Sequence, residues 1–176
     1  MVREDIPLTN EDGTAAFNTE KSVEFLQMWT TMYEENLIPE ETVTEGHGAA
    51  VYVYQSGQAA ILLTGPQFLS RIEENAPDIF EVTEVAPEIT GDADRVGVAV
   101  MNIAVLEQTE HKQAAIDFAA FITNNKNQLD FAKIVNILPS TKKAAQDPYF
   151  TNVDEDSVKD RAKKVSAQQL DRATNL

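Results

Sequence analysis

The stretch Ser56 to Leu69, SGQAAILLTGPQFL, limits the folds open to this chain more than any other. Small residues (Ser56, Gly57, Ala59, Ala60) lead into an apolar run, Ile61-Leu62-Leu63, which stops at Thr64-Gly65-Pro66 and reopens as a helical pattern. A short apolar run bounded by turn residues reads as a buried strand, and proline is tolerated in the first turn of the helix that follows. The chain therefore needs a strand-to-helix corner with an aromatic, Phe68, just beyond it. Such a corner is either plain packing or the lip of a binding cleft.

The remaining elements alternate in type. Asn18 or Thr19 caps a helix running to about Asn36, with Val23, Leu26, Trp29 and Tyr33 on its apolar face. Trp29 reads as a core residue rather than a ligand platform, because its neighbours at helical spacing are apolar too. Ala49 to Gln55 is a short helix closed by Gly57. The strand 58–64 and a helix from about Pro66 to Asn75 come next. Phe80 to Val85 reads as a strand, Thr90 to Asp94 as a turn, and Arg95 to Leu106 as a buried strand carrying Gly97 and Asn102. Thr109 caps a helix bearing Ala115, Phe118, Ala119 and Ile122, and Asn124-Asn125 separates it from a helix with Leu129 and Phe131. Ile137 to Ser140 is extended, and helical stretches follow at about Thr141 to Gln146 and Asp154 to Ala167. Strands alternating with helices give an α/β fold.

Charge narrows the function. A formal net charge of -15 on 176 residues repels nucleic-acid phosphates and anionic lipid. Lys159, Arg161, Lys163 and Lys164 lie beside Asp154-Glu155-Asp156 and read as a solvated helix of mixed charge. With no cysteine, a disulfide framework and thiolate chemistry are excluded. No run reaches the ~18 apolar residues of a membrane span, and Met1-Val2-Arg3-Glu4-Asp5 is not followed by the apolar stretch expected of a signal peptide.

Catalytic chemistry finds little support. The two histidines, His47 and His111, show no metal-ligand spacing and read as surface residues. Glu34-Glu35, Glu73-Glu74 and Asp92 with Asp94 are acidic pairs of the kind a glycosidase uses, but a chain this acidic produces them by composition alone. No catalytic residue, metal site or cofactor is assigned. Two rivals to a binding role stand open: a small α/β hydrolase using a carboxylate pair, and an interaction domain with no small ligand. Converging polar groups near Gly65 and Asn102 would favour a cleft, and two carboxylates about 5–10 Å apart would favour the hydrolase.

The order of four segments carries a family resemblance: Phe17 to Glu41, Tyr54 to Leu69, His111 to Lys133, and Ile137 to Phe150 (ILPSTKKAAQDPYF). Together they resemble the sugar-type extracellular solute-binding proteins of bacterial ABC importers. The resemblance implies a type II periplasmic-binding fold, represented here by residues 1–176 as one fragment. That fragment is mostly the C-terminal lobe, with about 95–140 as crossover elements that belong to or pack on the other lobe. It implies a small-molecule ligand, a sugar, an ABC permease as partner, and an extracellular or periplasmic location, lipid-anchored in the full-length protein. The ligand-binding residues it implies are Gly65, Pro66, Gln67, Phe68, Gly97 and Asn102. Gln67 stands where tryptophan is usual, so either Phe68 substitutes as the stacking ring or Gln67 hydrogen-bonds a hydroxyl. Gly97 has a second reading as close packing of strand on helix. Apolar residues Phe118, Phe121, Ile122, Leu129 and Phe131 would lack the other lobe, and self-association of the fragment is expected.

Overall fold

The structure, a computed structural model, describes residues 1–175. It is mostly helical, with one small parallel sheet. Helix α1 (Glu20–Glu34) opens on Thr19, whose side chain accepts from the Ser22 N–H. It closes at Asn36, in the left-handed region at φ 57°, with the Leu37 N–H returning to the Met32 carbonyl at 2.8 Å. After α2 (Glu40–Thr44), α3 (His47–Gln55) ends the same way at Gly57, φ 72°, as the Gln58 N–H reaches the Val53 carbonyl. A 3₁₀ turn over Pro66–Phe68 leads into α4 (Leu69–Asn75), and α5 (Pro77–Glu81) follows. Strand β1 (Val96–Val98) precedes α6 (Lys112–Ile122) and α7 (Asn125–Val135). Short helices α8 (Lys142–Ala145) and α9 (Pro148–Thr151), long α10 (Val158–Gln169) and strand β2 (Ala173–Asn175) complete the order.

Strands β1 and β2 pair in parallel, Val96 opposite Ala173 and Gly97 opposite Thr174. Gly97 thus sits in a sheet ladder. The main core gathers Val51 of α3, Leu69 and Ile72 of α4 and Ala162 of α10, with Tyr54, Leu62, Phe68, Ile79, Phe80 and Val85 packed against it. Polar links tie α10 across this core. Lys159 pairs with Glu73, Arg161 with Glu84 at 2.7 Å, and the Glu88 N–H donates to Gln169 Oε1 at 2.7 Å. The mixed-charge helix is therefore cross-linked to two other segments, though each exposed pair contributes only ~0–1 kcal/mol.

Two expected strands are absent and a third is cut short. Residues 58–64 are irregular, 80–85 continue α5 into coil, and only Val96–Val98 of the segment 95–106 is strand. A strand exists only when a neighbour accepts and donates its backbone hydrogen bonds, and among the described residues only β2 does so for β1. Ile61, Leu63, Met101, Ile103 and Leu106 consequently remain exposed. Strand β2 was not anticipated. The Thr109 cap is also corrected: its hydroxyl accepts from the His111 N–H at 3.2 Å, a local turn, and α6 begins at Lys112 with no side-chain cap. Asn124, by contrast, caps α7 through the Asn127 N–H at 2.9 Å. Trp29 is not a core residue. It is 42% exposed, with Val23, Leu26, Met28 and Tyr33 exposed beside it, because among the described residues no element packs extensively on α1.

Candidate functional site

The Gly-Pro corner is built by a change of backbone direction between two fixed elements. Gly65 is extended at φ -89° and ψ 161°, and Pro66 opens the 3₁₀ turn, which closes when the Phe68 N–H reaches the Gly65 carbonyl at 3.2 Å. Leu69, buried in the core, then carries the chain into α4. Pro66 is buried, Gly65 and Phe68 are half-buried, and Gln67 is exposed. The Gln67 side chain folds back over the Gly65 α-carbon, into the space that a β-carbon there would need.

The first residue of α3 meets this corner from 17 positions upstream. His47 Nε2 lies 3.0 Å from the Thr64 hydroxyl, and its ring stands at 88° to that of Phe68 with centroids 4.8 Å apart. Such edge-to-face pairs are favourable beyond the area they bury. Gly46 makes the approach possible: at φ 78° and ψ -166° it holds a conformation strained for any side chain. From the other side Asn136, left-handed at the end of α7, makes a long 3.5 Å contact with the Pro66 carbonyl.

Helix α3 is itself held firmly. The Thr83 hydroxyl donates to the Ile79 carbonyl at 2.7 Å, so the Tyr54 hydroxyl, 3.0 Å away, must donate to Thr83. Gln55 donates to the Arg71 carbonyl, and the Arg71 guanidinium lies over the Tyr52 ring at 4.7 Å. The corner thus rests on a braced helix pair rather than a free loop.

Of the residues singled out in the sequence, Gly65, Pro66, Gln67 and Phe68 come together with Thr64. Gly97 lies in β1, which pairs with β2 and neighbours a 3₁₀ turn at Val2–Glu4, and Asn102 is exposed in irregular backbone. No hydrogen bond among the described residues joins either to the corner. His47, read from sequence as an ordinary surface residue, is exposed, and it stands beside the corner on Thr64 and Phe68, a placement that its sequence neighbours do not signal. Of the acidic pairs, Glu73 is engaged by Lys159, and Asp94 by Arg172 and Thr90. Among the described residues no three His, Cys, Asp or Glu side chains surround a common point.

Comparison with known proteins adds three findings. The family model described as "Bacterial extracellular solute-binding protein" matches residues 5–159. A "Putative binding protein" of Brucella abortus (strain 2308) is 20% identical over 146 residues, covering 82% of this chain and 35% of its own length. A counterpart in Brucella suis biovar 1 matches to the same extent. A solved structure described as a "putative oligosaccharide periplasmic-binding protein", from Synechococcus sp. MITs9220, superposes with a TM-score of 0.88 at 34% identity, over 99% of this chain and 46% of that one. The same protein in complex with zinc gives 0.89. The chain spans 35% of the length of the curated relatives and less than half of the solved one.

Proposed function

Because this chain belongs to the bacterial extracellular solute-binding protein family, we propose that it supplies one side of a carbohydrate-binding cleft in the substrate receptor of an ABC importer. Recognition is non-covalent, with no chemical step. The observation that carries the reading is the convergence of Thr64, Gln67 and His47, all capable of hydrogen bonding, beside the Phe68 ring at one braced corner. Sugars present hydroxyls around an apolar ring face, and polar groups flanking an aromatic pair suit both. The oligosaccharide description of the Synechococcus neighbour supports the same class.

Gly65, Pro66, Gln67 and Phe68 form the near wall in this proposal, and Gly97 and Asn102 belong to the crossover, about 95–140, that meets ligand as a second lobe closes by hinge motion. The receptor works outside the cytoplasm, anchored as a lipoprotein, and hands its ligand to a membrane permease. A carboxylate-pair hydrolase is disfavoured, since Glu73 and Asp94 are held by Lys159 and Arg172.

Calorimetry of the intact gene product against mono- and oligosaccharides tests the proposal. Micromolar or tighter binding of at least one sugar is expected. Weak or no binding is expected for residues 1–176 alone, since half a cleft forfeits most ligand burial and preorganisation. No heat with any sugar, or turnover of a chromogenic glycoside, would count against it.

A further inference from the structure

Phe68 is not free to act as a stacking platform. Its ring is half-buried, packed against the core cluster of Val51, Leu69, Ile72 and Ala162, and its remaining aromatic contact is His47. The exposed ring at the corner is the imidazole. We infer that His47 is the ligand-contacting ring of this site and that Phe68 is its buttress, an inference resting on the carbohydrate reading above.

Three features of the geometry support it. First, the ring is oriented at both ends of its contact: Nε2 is fixed on the Thr64 hydroxyl at 3.0 Å, and the perpendicular Phe68 ring blocks rotation on one side. A ring held in one orientation loses little entropy when ligand arrives. Second, Nδ1 has no hydrogen-bond partner among the described residues, which leaves one donor or acceptor for a sugar hydroxyl. Third, the backbone is arranged for this placement. Gly46 takes a glycine-favouring conformation immediately before His47, so the chain turns sharply to bring that side chain against Thr64. An ordinary surface histidine needs none of these supports.

The test uses the intact gene product and the tightest-binding sugar from the calorimetric panel, with His47→Ala, His47→Trp, His47→Gln and Phe68→Leu. His47 is exposed, so all three of its variants should still fold cooperatively, their melting temperature lower by no more than the few degrees that the Thr64 and Phe68 contacts contribute. His47→Ala should weaken binding about tenfold or more, the loss expected when a stacked ring and its hydrogen bond both go. His47→Trp, which keeps a ring, should bind within about threefold of wild type, while His47→Gln, which keeps only the polar group, should fall close to the alanine variant. Phe68→Leu, which preserves an apolar buttress, should lose less than His47→Ala. Wild-type affinity in His47→Ala, or full affinity in His47→Gln with loss in His47→Trp, overturns the inference and leaves the carbohydrate reading standing. A wild-type protein that binds no sugar overturns both.

Discussion

Gly65 and His47 show what a single position contributes here, and what a sequence reveals of it. Gly65 was legible because a glycine before proline marks a corner by itself. Its φ of -89° suits any residue, and only the Gln67 side chain occupies the β-carbon position. Gly65→Ala should therefore shift stability by less than about 1 kcal/mol while displacing Gln67; thermal melting and the Gln67 side-chain amide resonances check both halves. His47 was not legible, because a histidine between glycines carries no local signature and its partners lie at Thr64 and Phe68. A third residue, Asp160, gives a pH dependence. The Lys163 ammonium, 2.6 Å away, holds its carboxyl below the usual carboxylate range against the opposing effect of burial, with a further lowering from the Asp154 N–H. A carboxyl depressed in the folded state stabilises fully above its unfolded value, ~4, and that stability is lost as pH falls through the lower folded value. Asp160→Asn should be less stable than wild type at neutral pH, and the gap should close in acid; urea denaturation at pH 7 and pH 3 measures it.

Whole elements divide by where their information lies. Helices were legible because caps and periodicity are local: Thr19, Asn124 and Gly57 mark ends found at those residues. Strands were legible only in part: β1 lies within the expected 95–106, but an apolar run states only that a segment wants burial, while pairing depends on a neighbour elsewhere in the chain. Residues 58–64 and 99–106 have the composition of strands but, among the described residues, no pairing partner, and β2 has a partner but an unremarkable sequence. Burial, rather than hydrophobicity, then predicts the cost of substitution. Phe150 is 1% exposed and Phe118 is 62% exposed. Phe150→Ala should cost about 3–5 kcal/mol, whereas Phe118→Ser should stay within about 0.5 kcal/mol. Comparative urea denaturation separates them, and equal losses would mean that α6 is covered.

Taken whole, the molecule exposes more surface than its size requires. A compact monomer of 19.5 kDa has an accessible area of about 8,500 Å², and this chain exposes 12208 Å². The excess includes Ile116, Phe118, Phe121, Phe131 and Ile134 on α6 and α7; of the residues expected from sequence to meet a second lobe, Phe118, Phe121 and Phe131 are exposed, and Ile122 and Leu129 are half-buried. A contiguous apolar surface beyond a few hundred Å² rarely stays bare in water, so residues 1–176 should self-associate. Light scattering on a size-exclusion column reads this; a strict monomer with slow amide exchange across residues 111–133 would contradict the assignment. The central claim, that the Gly65–Phe68 corner holds a sugar, is met most directly by hydrogen exchange of the intact gene product, with and without the sugar found by calorimetry. Saturation should slow exchange at residues 64–69 and at the start of α3. Saturation that leaves both unchanged would contradict the claim.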